Sequence, residues 1–110
     1  MEALVKSDVA VVLFPYSDLS EMKKRPALVI ATNEGNDHIF AQITSFNRFD
    51  SFAIELKDGA FQTGKLQQDS CIRINKLFTL DKSLIIYKIG SLKKEKMKEV
   101  TKELIKMVER

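Results

Sequence analysis

The sequence predicts a mainly β (α+β) chain: an antiparallel barrel followed by one amphipathic C-terminal helix. Three observations predict it. About six short β-rich runs, set apart by turn residues, fill most of the chain; no helical period interrupts them; and from Leu92 the apolar spacing becomes that of a helix. Consecutive strands without intervening helices favour an antiparallel barrel over a βαβ sheet, whose crossovers need helices of their own.

Residues 8–14 (DVAVVLF) form a nearly unbroken apolar, β-branched run ended by Phe14-Pro15, the pattern of a strand buried on both faces. The polar segment 16–25 (YSDLSEMKKR) reads as a loop, and Pro26 then opens a second strand, ALVIATN, because proline suits the first position of a strand. Glu34-Gly35-Asn36-Asp37 is a turn signal and residues 38–44 are a third strand, so the pair reads as a hairpin. Residues 46–51 are polar and aromatic without a clear period. Residues 52–56 make a short strand before the Asp58-Gly59 turn, Gly64 marks a bend, and residues 71–75 and 84–89 complete the strands.

The C-terminal helix is read from apolar residues at Leu92, Met97, Val100, Leu104, Met107 and Val108, with lysines and glutamates on the other face. Ser91 is its expected cap. A capping box would need Glu or Gln at the position of Lys94, so only Glu95 adds a favourable charge in the first turn. Interleaved glutamates and the lack of aromatic anchors argue against a membrane surface; the helix is expected to pack on the barrel or at a subunit interface.

With 110 residues the chain is expected to be one domain, 1–110, long enough for a real core but not for two. The N-terminal MEALVKSDVAVVLF lacks the basic start of a signal peptide, no apolar stretch approaches a membrane span, and the lone Cys71 forms no internal disulfide. A soluble cytoplasmic protein is expected. The net charge of +3 is weak evidence for nucleic-acid binding by itself. Residues 92–110 hold seven Lys/Arg against four Glu, whereas the rest of the chain holds eleven of each sign. More telling is the one run of three basic residues, Lys23-Lys24-Arg25.

One cysteine and one histidine cannot build a structural zinc site, and there is no glycine-rich phosphate loop, so neither metal nor cofactor is expected. His38 reads as a surface residue at a turn and Cys71 as a small buried side chain. In Lys23-Lys24-Arg25-Pro26, a basic loop ending at a strand entrance would hold the Arg25 fork at a barrel rim, suited to a phosphate; composition alone equally describes a solvated basic loop. In Ile43-Thr44-Ser45 a strand runs out into a loop carrying Phe46, Asn47 and Arg48. There the hydroxyls suit a phosphate oxygen and Phe46 or Phe49 an unpaired base, or Thr44 and Ser45 merely satisfy turn backbone.

Together these segments resemble the MazF/PemK toxins over nearly the whole chain. The resemblance is carried by Asp8-Val9, by Phe14-Pro15-Tyr16-Ser17-Asp18-Leu19, by Arg25-Pro26-Ala27-Leu28-Val29-Ile30 and by Ile43-Thr44-Ser45. Asp69-Ser70, Ile72-Arg73-Ile74-Asn75-Lys76-Leu77 and Thr79-Leu80-Asp81-Lys82 follow in the right order. The resemblance implies a closed SH3-like barrel, a homodimer, and a cognate antitoxin whose disordered segment covers the RNA groove. It also implies a metal-independent, sequence-selective endoribonuclease acting on single-stranded RNA. In that chemistry the 2′-hydroxyl attacks the adjacent phosphate and leaves a 2′,3′-cyclic phosphate. Arg25 and Thr44 match the family's catalytic arginine and threonine, and Lys24, Ser45, Phe46, Arg73 and Asn75 are the expected RNA contacts.

Two departures stand out. Some PemK-like members carry an aspartate where this chain has Asn75, which hydrogen-bonds but cannot accept a proton as a base. The usual glycine before Asp8 is replaced by Ser7. Asn75 supports the competing reading, a non-catalytic barrel that binds RNA or protein. A third reading, a toxin acting on DNA gyrase, follows from the structurally related CcdB toxins.

Overall fold

The computed structural model describes residues 3–15, 22–45 and 50–110. Phe46, Phe49 and the stretch Tyr16 to Leu19 lie outside them. The elements are β1 (Asp8–Pro15), β2 (Met22–Thr32), β3 (Asp37–Ser45), β4 (Ala53–Leu56), β5 (Phe61–Thr63), β6 (Ser70–Asp81), β7 (Ile85–Leu92) and α1 (Lys94–Glu109). Single 3-10 turns, Asp58–Ala60 and Lys82–Leu84, precede β5 and β7.

All seven strands belong to one antiparallel sheet in the order β4-β6-β3-β2-β1-β7-β5. Its two edge strands, β4 and β5, are consecutive in sequence and joined only by residues 57–60. A link that short holds the two edges near each other, so the sheet curls into a half-barrel; right-handed twist supplies the curvature. The mainly β fold with a C-terminal helix is as the sequence predicts.

β1 shows why its run is apolar at every position. Val9 packs in one core with Leu28, Ala41, Ile43 and Ile72, while Ala10 and Val12 pack in a second with Ala27, Val29 and Phe40. Successive side chains point to opposite faces of a strand, and here both faces are covered. Met97 and Val100 of α1 close the first core; Leu4, Leu80 and Ile85 complete the second.

Four expectations of secondary structure change, and two of side-chain exposure. β2 begins at Met22 rather than at Pro26, with Lys23, Lys24 and Arg25 paired to Phe14, Leu13 and Val12, so the basic run is strand and not loop. Its charged, solvent-facing side chains hid the strand from an apolar reading. β6 runs on through Asp81 because Leu77 to Asp81 continue along β3; a bulge leaves residues 74–76 without a β3 partner and masks the alternation. β5 is too short to show a period, and Gly64 bends away from it with φ 75°.

The helix cap is the fourth. Ser91 lies within β7, and its Oγ donates to Asp8 Oδ1 at 2.6 Å; α1 starts instead from Lys93, with no side-chain cap. Asp8 is 1% exposed and also accepts from the Val5 N–H at 2.9 Å and pairs with Lys88 Nζ at 3.4 Å. A buried carboxylate needs such partners, and it claims the Ser91 hydroxyl. Val108, assigned to the apolar face, is 76% exposed. His38 is not a plain surface residue: it is half-buried, edge-to-face with Phe40 at 6.3 Å. Cys71 is buried, as expected.

Candidate functional site

β2 and β3 part at Pro26. Their ladder ends with Ala27↔Gln42, while on its other side β2 stays paired with β1 as far as Met22. Proline has no N–H to give, which confines it to strand positions free of a ladder partner on one side. The parting opens a cleft of about 1080 Å³ whose wall includes Arg25, Pro26 and Gln42 to Ser45.

Arg25 and Thr44 lie two residues beyond the last β2–β3 pair, Ala27↔Gln42, one on each strand, and both line this cleft although nineteen positions apart in sequence. Ser45 lines it too. Thr44 is half-buried, and its Oγ1 lies 3.4 Å from Cys71 Sγ. A thiol is a weak hydrogen-bond partner, so this hydroxyl can turn towards a better acceptor at little cost.

The opposite wall comes from residues that sequence reasoning missed. Lys65, Leu66, Gln67 and Gln68 enter from the segment after β5, and Tyr87, Lys88 and Ile89 from β7. Gln68 Nε2 donates to Ser45 Oγ at 2.6 Å, beside the Ser45↔Ser70 pair that ends the β3–β6 ladder. Gly64 and Gly90 fix the segment in place: a Cβ on Gly64 would stand 2.1 Å from the Ile89 carbonyl oxygen, and one on Gly90 would stand 2.1 Å from that of Thr63. Only glycine on both strands permits this approach. Gly64 was legible as a bend; its partner Gly90, distant in sequence, was not.

Among the described residues the lining carries three cations, Arg25, Lys65 and Lys88, and no Asp, Glu or His. Hydroxyls of Thr44, Ser45, Ser70 and Tyr87 and amides of Gln42, Gln67 and Gln68 supply the remaining polarity. Positive charge in a concave, partly walled site attracts an anion more strongly than on an open surface. Among the described residues no three His, Cys, Asp or Glu side chains come together as a metal site.

Three other expected contacts stand apart from this lining. Lys24 is exposed on β2. Arg73 is backbone-paired with Gln42, but its guanidinium is held by both oxygens of Asp50 at 3.0 Å and is 11% exposed. Asn75 is exposed in the middle of the β6 bulge.

Against this geometry, the family model for the "PemK-like, MazF-like toxin of type II toxin-antitoxin system" matches residues 6–108. The chain belongs to this family. Among solved structures it is similar to MazF from Deinococcus radiodurans, with 15% identity, a TM-score of 0.74 and full coverage of both chains. A MazE-MazF structure from the same organism matches with 16% identity and a TM-score of 0.76, over 98% of this chain and 97% of that one. An endoribonuclease in complex with its cognate antitoxin, from a mycobacterial species, matches with 14% identity and a TM-score of 0.73, over 96% and 95%. At these identities the likeness shows the fold. A search among curated proteins finds no match. No helix among the described residues is long and apolar enough to cross a membrane.

Proposed function

We propose that this MazF/PemK-like chain, as one domain spanning residues 1–110, is a toxin that cuts single-stranded RNA in the cleft between β2, β3 and β7. The observation that carries the reading is that Arg25 and Thr44 line one cleft whose described lining residues include three cations and no carboxylate. Such a site attracts an anion, as a phosphodiester is.

In the proposed reaction the 2′-oxygen attacks the adjacent phosphorus, the bond from phosphorus to the 5′-oxygen breaks, and a 2′,3′-cyclic phosphate and a 5′-hydroxyl result. The Arg25 fork binds the non-bridging oxygens as their charge grows and hydrogen-bonds the departing 5′-oxygen, while the Thr44 hydroxyl orients the phosphate. A guanidinium holds its proton too tightly to act as a base, and the described lining residues offer neither carboxylate nor imidazole. The 2′-hydroxyl proton therefore passes to water, and water returns one to the 5′-oxygen. Asn75, exposed on the bulge, takes no part in this scheme.

The reading is metal-independent: magnesium sites are built on carboxylate oxygens, and the described lining residues include none. Ser45, Lys24 and Phe46 extend the RNA path beyond the reacting phosphate, and Arg73, locked to Asp50, holds the 50–53 turn beside that path. The half-barrel is taken as the SH3-like barrel closed through the link 57–60. A second copy completes a homodimer in the cytoplasm, and a cognate antitoxin covers the cleft, as the relatives solved with MazE or a cognate antitoxin suggest.

Single-stranded RNA and DNA of one sequence, each incubated with the protein in EDTA, test this reading. RNA alone should be cut, because DNA lacks the attacking hydroxyl. Tight RNA binding without cutting would select the non-catalytic module instead.

A further inference from the structure

A second surface, which shares no lining residue with the cleft, is equally basic but more apolar. Along α1, Lys94, Lys98, Lys102 and Lys106 recur every fourth residue and so form one stripe of the helix. The stripe borders a groove of about 660 Å³ between α1 and the chain entering β1, with Lys6 on the far bank. The groove is lined by aliphatic side chains: Leu92 and Met97 are buried, and Ile105 is 52% exposed. Among the described residues its lining holds five lysines, no carboxylate and no aromatic ring.

We propose that this groove docks an acidic, aliphatic peptide segment of a partner protein. The inference goes beyond the RNA reading and stands without it. Lysines four apart on a helix repel one another, and among the described residues only Lys106 of the stripe has a carboxylate partner, Glu103 at 3.5 Å. Carboxylates of a bound segment would relieve that repulsion, while its Leu, Ile or Val side chains would cover Ile105 and lie along the lysine stems, which are themselves apolar. An amphipathic helix with apolar residues at i, i+3, i+4 and i+7 is the usual tenant of such a groove.

Charge complementarity favours this occupant over two others. Single-stranded RNA binds by stacking bases on aromatic rings beside a cationic track, and this groove offers none. A second copy meeting the same patch through a two-fold axis would set lysines against lysines.

The test uses the full chain, 15N-labelled, and a synthetic helical peptide of leucine and glutamate with leucines at i, i+3, i+4 and i+7. The peptide should shift the amide signals of Lys6, Ser7, Leu92 and residues 94–106, with an affinity that falls at least tenfold in K98E/K102E and again in Ile105→Ser. Both variants are first required to unfold at the wild-type temperature. A lysine-for-glutamate peptide and a uridine oligonucleotide should leave those signals unmoved. The proposal is overturned if the peptide shifts residues 42–45, 65–70 and 87–89 instead, if K98E/K102E binds as tightly as wild type, or if the oligonucleotide moves the α1 signals. It is equally overturned if raising the protein concentration alone reproduces the shifts, which identifies a second copy as the occupant.

Discussion

Gln68 Nε2 donates to Ser45 Oγ at 2.6 Å on the cleft lining, beside the Ser45↔Ser70 pair that ends the β3–β6 ladder. The bond is exposed, so either Ser45→Ala or Gln68→Ala should change the unfolding free energy by less than about 0.5 kcal/mol. Its effect belongs to RNA binding, because both side chains line the cleft and each holds the other in place. Each variant should weaken single-stranded RNA binding by about 0.5–1.5 kcal/mol, the net worth of a hydrogen bond. The double variant should lose little more than either single one. Fluorescence anisotropy with a labelled oligonucleotide measures all three, and additive losses would show that the two side chains act independently.

Gly90→Ala should disturb the same wall from the other side. Its Cβ would meet the Thr63 carbonyl oxygen at 2.1 Å and Gly64 Cα at 2.9 Å, both backbone atoms that cannot swing aside. Overpacking of this kind costs about 1–3 kcal/mol. Urea unfolding should show the loss, and amide exchange should quicken at residues 61–68. Wild-type stability would mean that the two strands do not approach so closely.

Asp8→Asn should destabilise the fold by about 2–3 kcal/mol. The buried carboxylate receives the Ser91 hydroxyl, the Val5 N–H and the Lys88 ammonium. Hydrogen bonds to a charged group are each worth about 1.5–3 kcal/mol, and an amide offers one acceptor oxygen where the carboxylate has two. Lys88 is partly solvated, which keeps the cost below that of a wholly buried ion pair. Equilibrium unfolding in urea checks this, and a change below about 0.5 kcal/mol would deny Asp8 its structural role.

Ser7→Gly should have the opposite sign. Ser7 is the one described non-glycine residue with positive φ, 82°. Its N–H donates to the Val29 carbonyl and its carbonyl accepts from Leu92 N–H, bonds that glycine keeps. A left-handed conformation costs an L-residue roughly 1–2 kcal/mol, partly offset by the extra unfolded-state freedom of glycine. A net gain of about 0.5–1 kcal/mol should raise Tm by roughly 2–5 °C in a domain of this size, as calorimetry would record. A lower Tm would show that the serine side chain contributes what the backbone lacks.

How far the sequence carried the account can be seen in these residues. β1 was legible because Val9, Ala10, Val11 and Val12 are all buried, so hydrophobicity alone marks the strand. Arg25 and Thr44 were legible through resemblance; what the residues alone did not reveal is that strands parting at Pro26 bring both to one cleft. The start of β2 was hidden because its first residues carry charge, Lys23 and Lys24 exposed and Arg25 half-buried, and the length of β6 because the bulge at 74–76 resets its alternation. The second wall of the cleft depends on Gly64 meeting Gly90, a pairing of distant backbones that no local pattern encodes. Ser91 misled for a related reason: the acceptor of its hydroxyl sits at the other end of the chain, in Asp8.

The central claim is that Arg25 and Thr44 act on a phosphodiester. The most direct measurement incubates wild type, Arg25→Ala and Thr44→Ala with a mixed-sequence single-stranded RNA in EDTA and sequences the resulting ends. The account predicts discrete cuts with 2′,3′-cyclic phosphate ends for wild type, and about 100-fold to 1,000-fold slower cutting for each variant, the usual cost of removing one transition-state donor. Both variants should melt at the wild-type temperature. Wild-type cutting rates in a folded Arg25→Ala protein, or intact RNA with folded wild type, would contradict it.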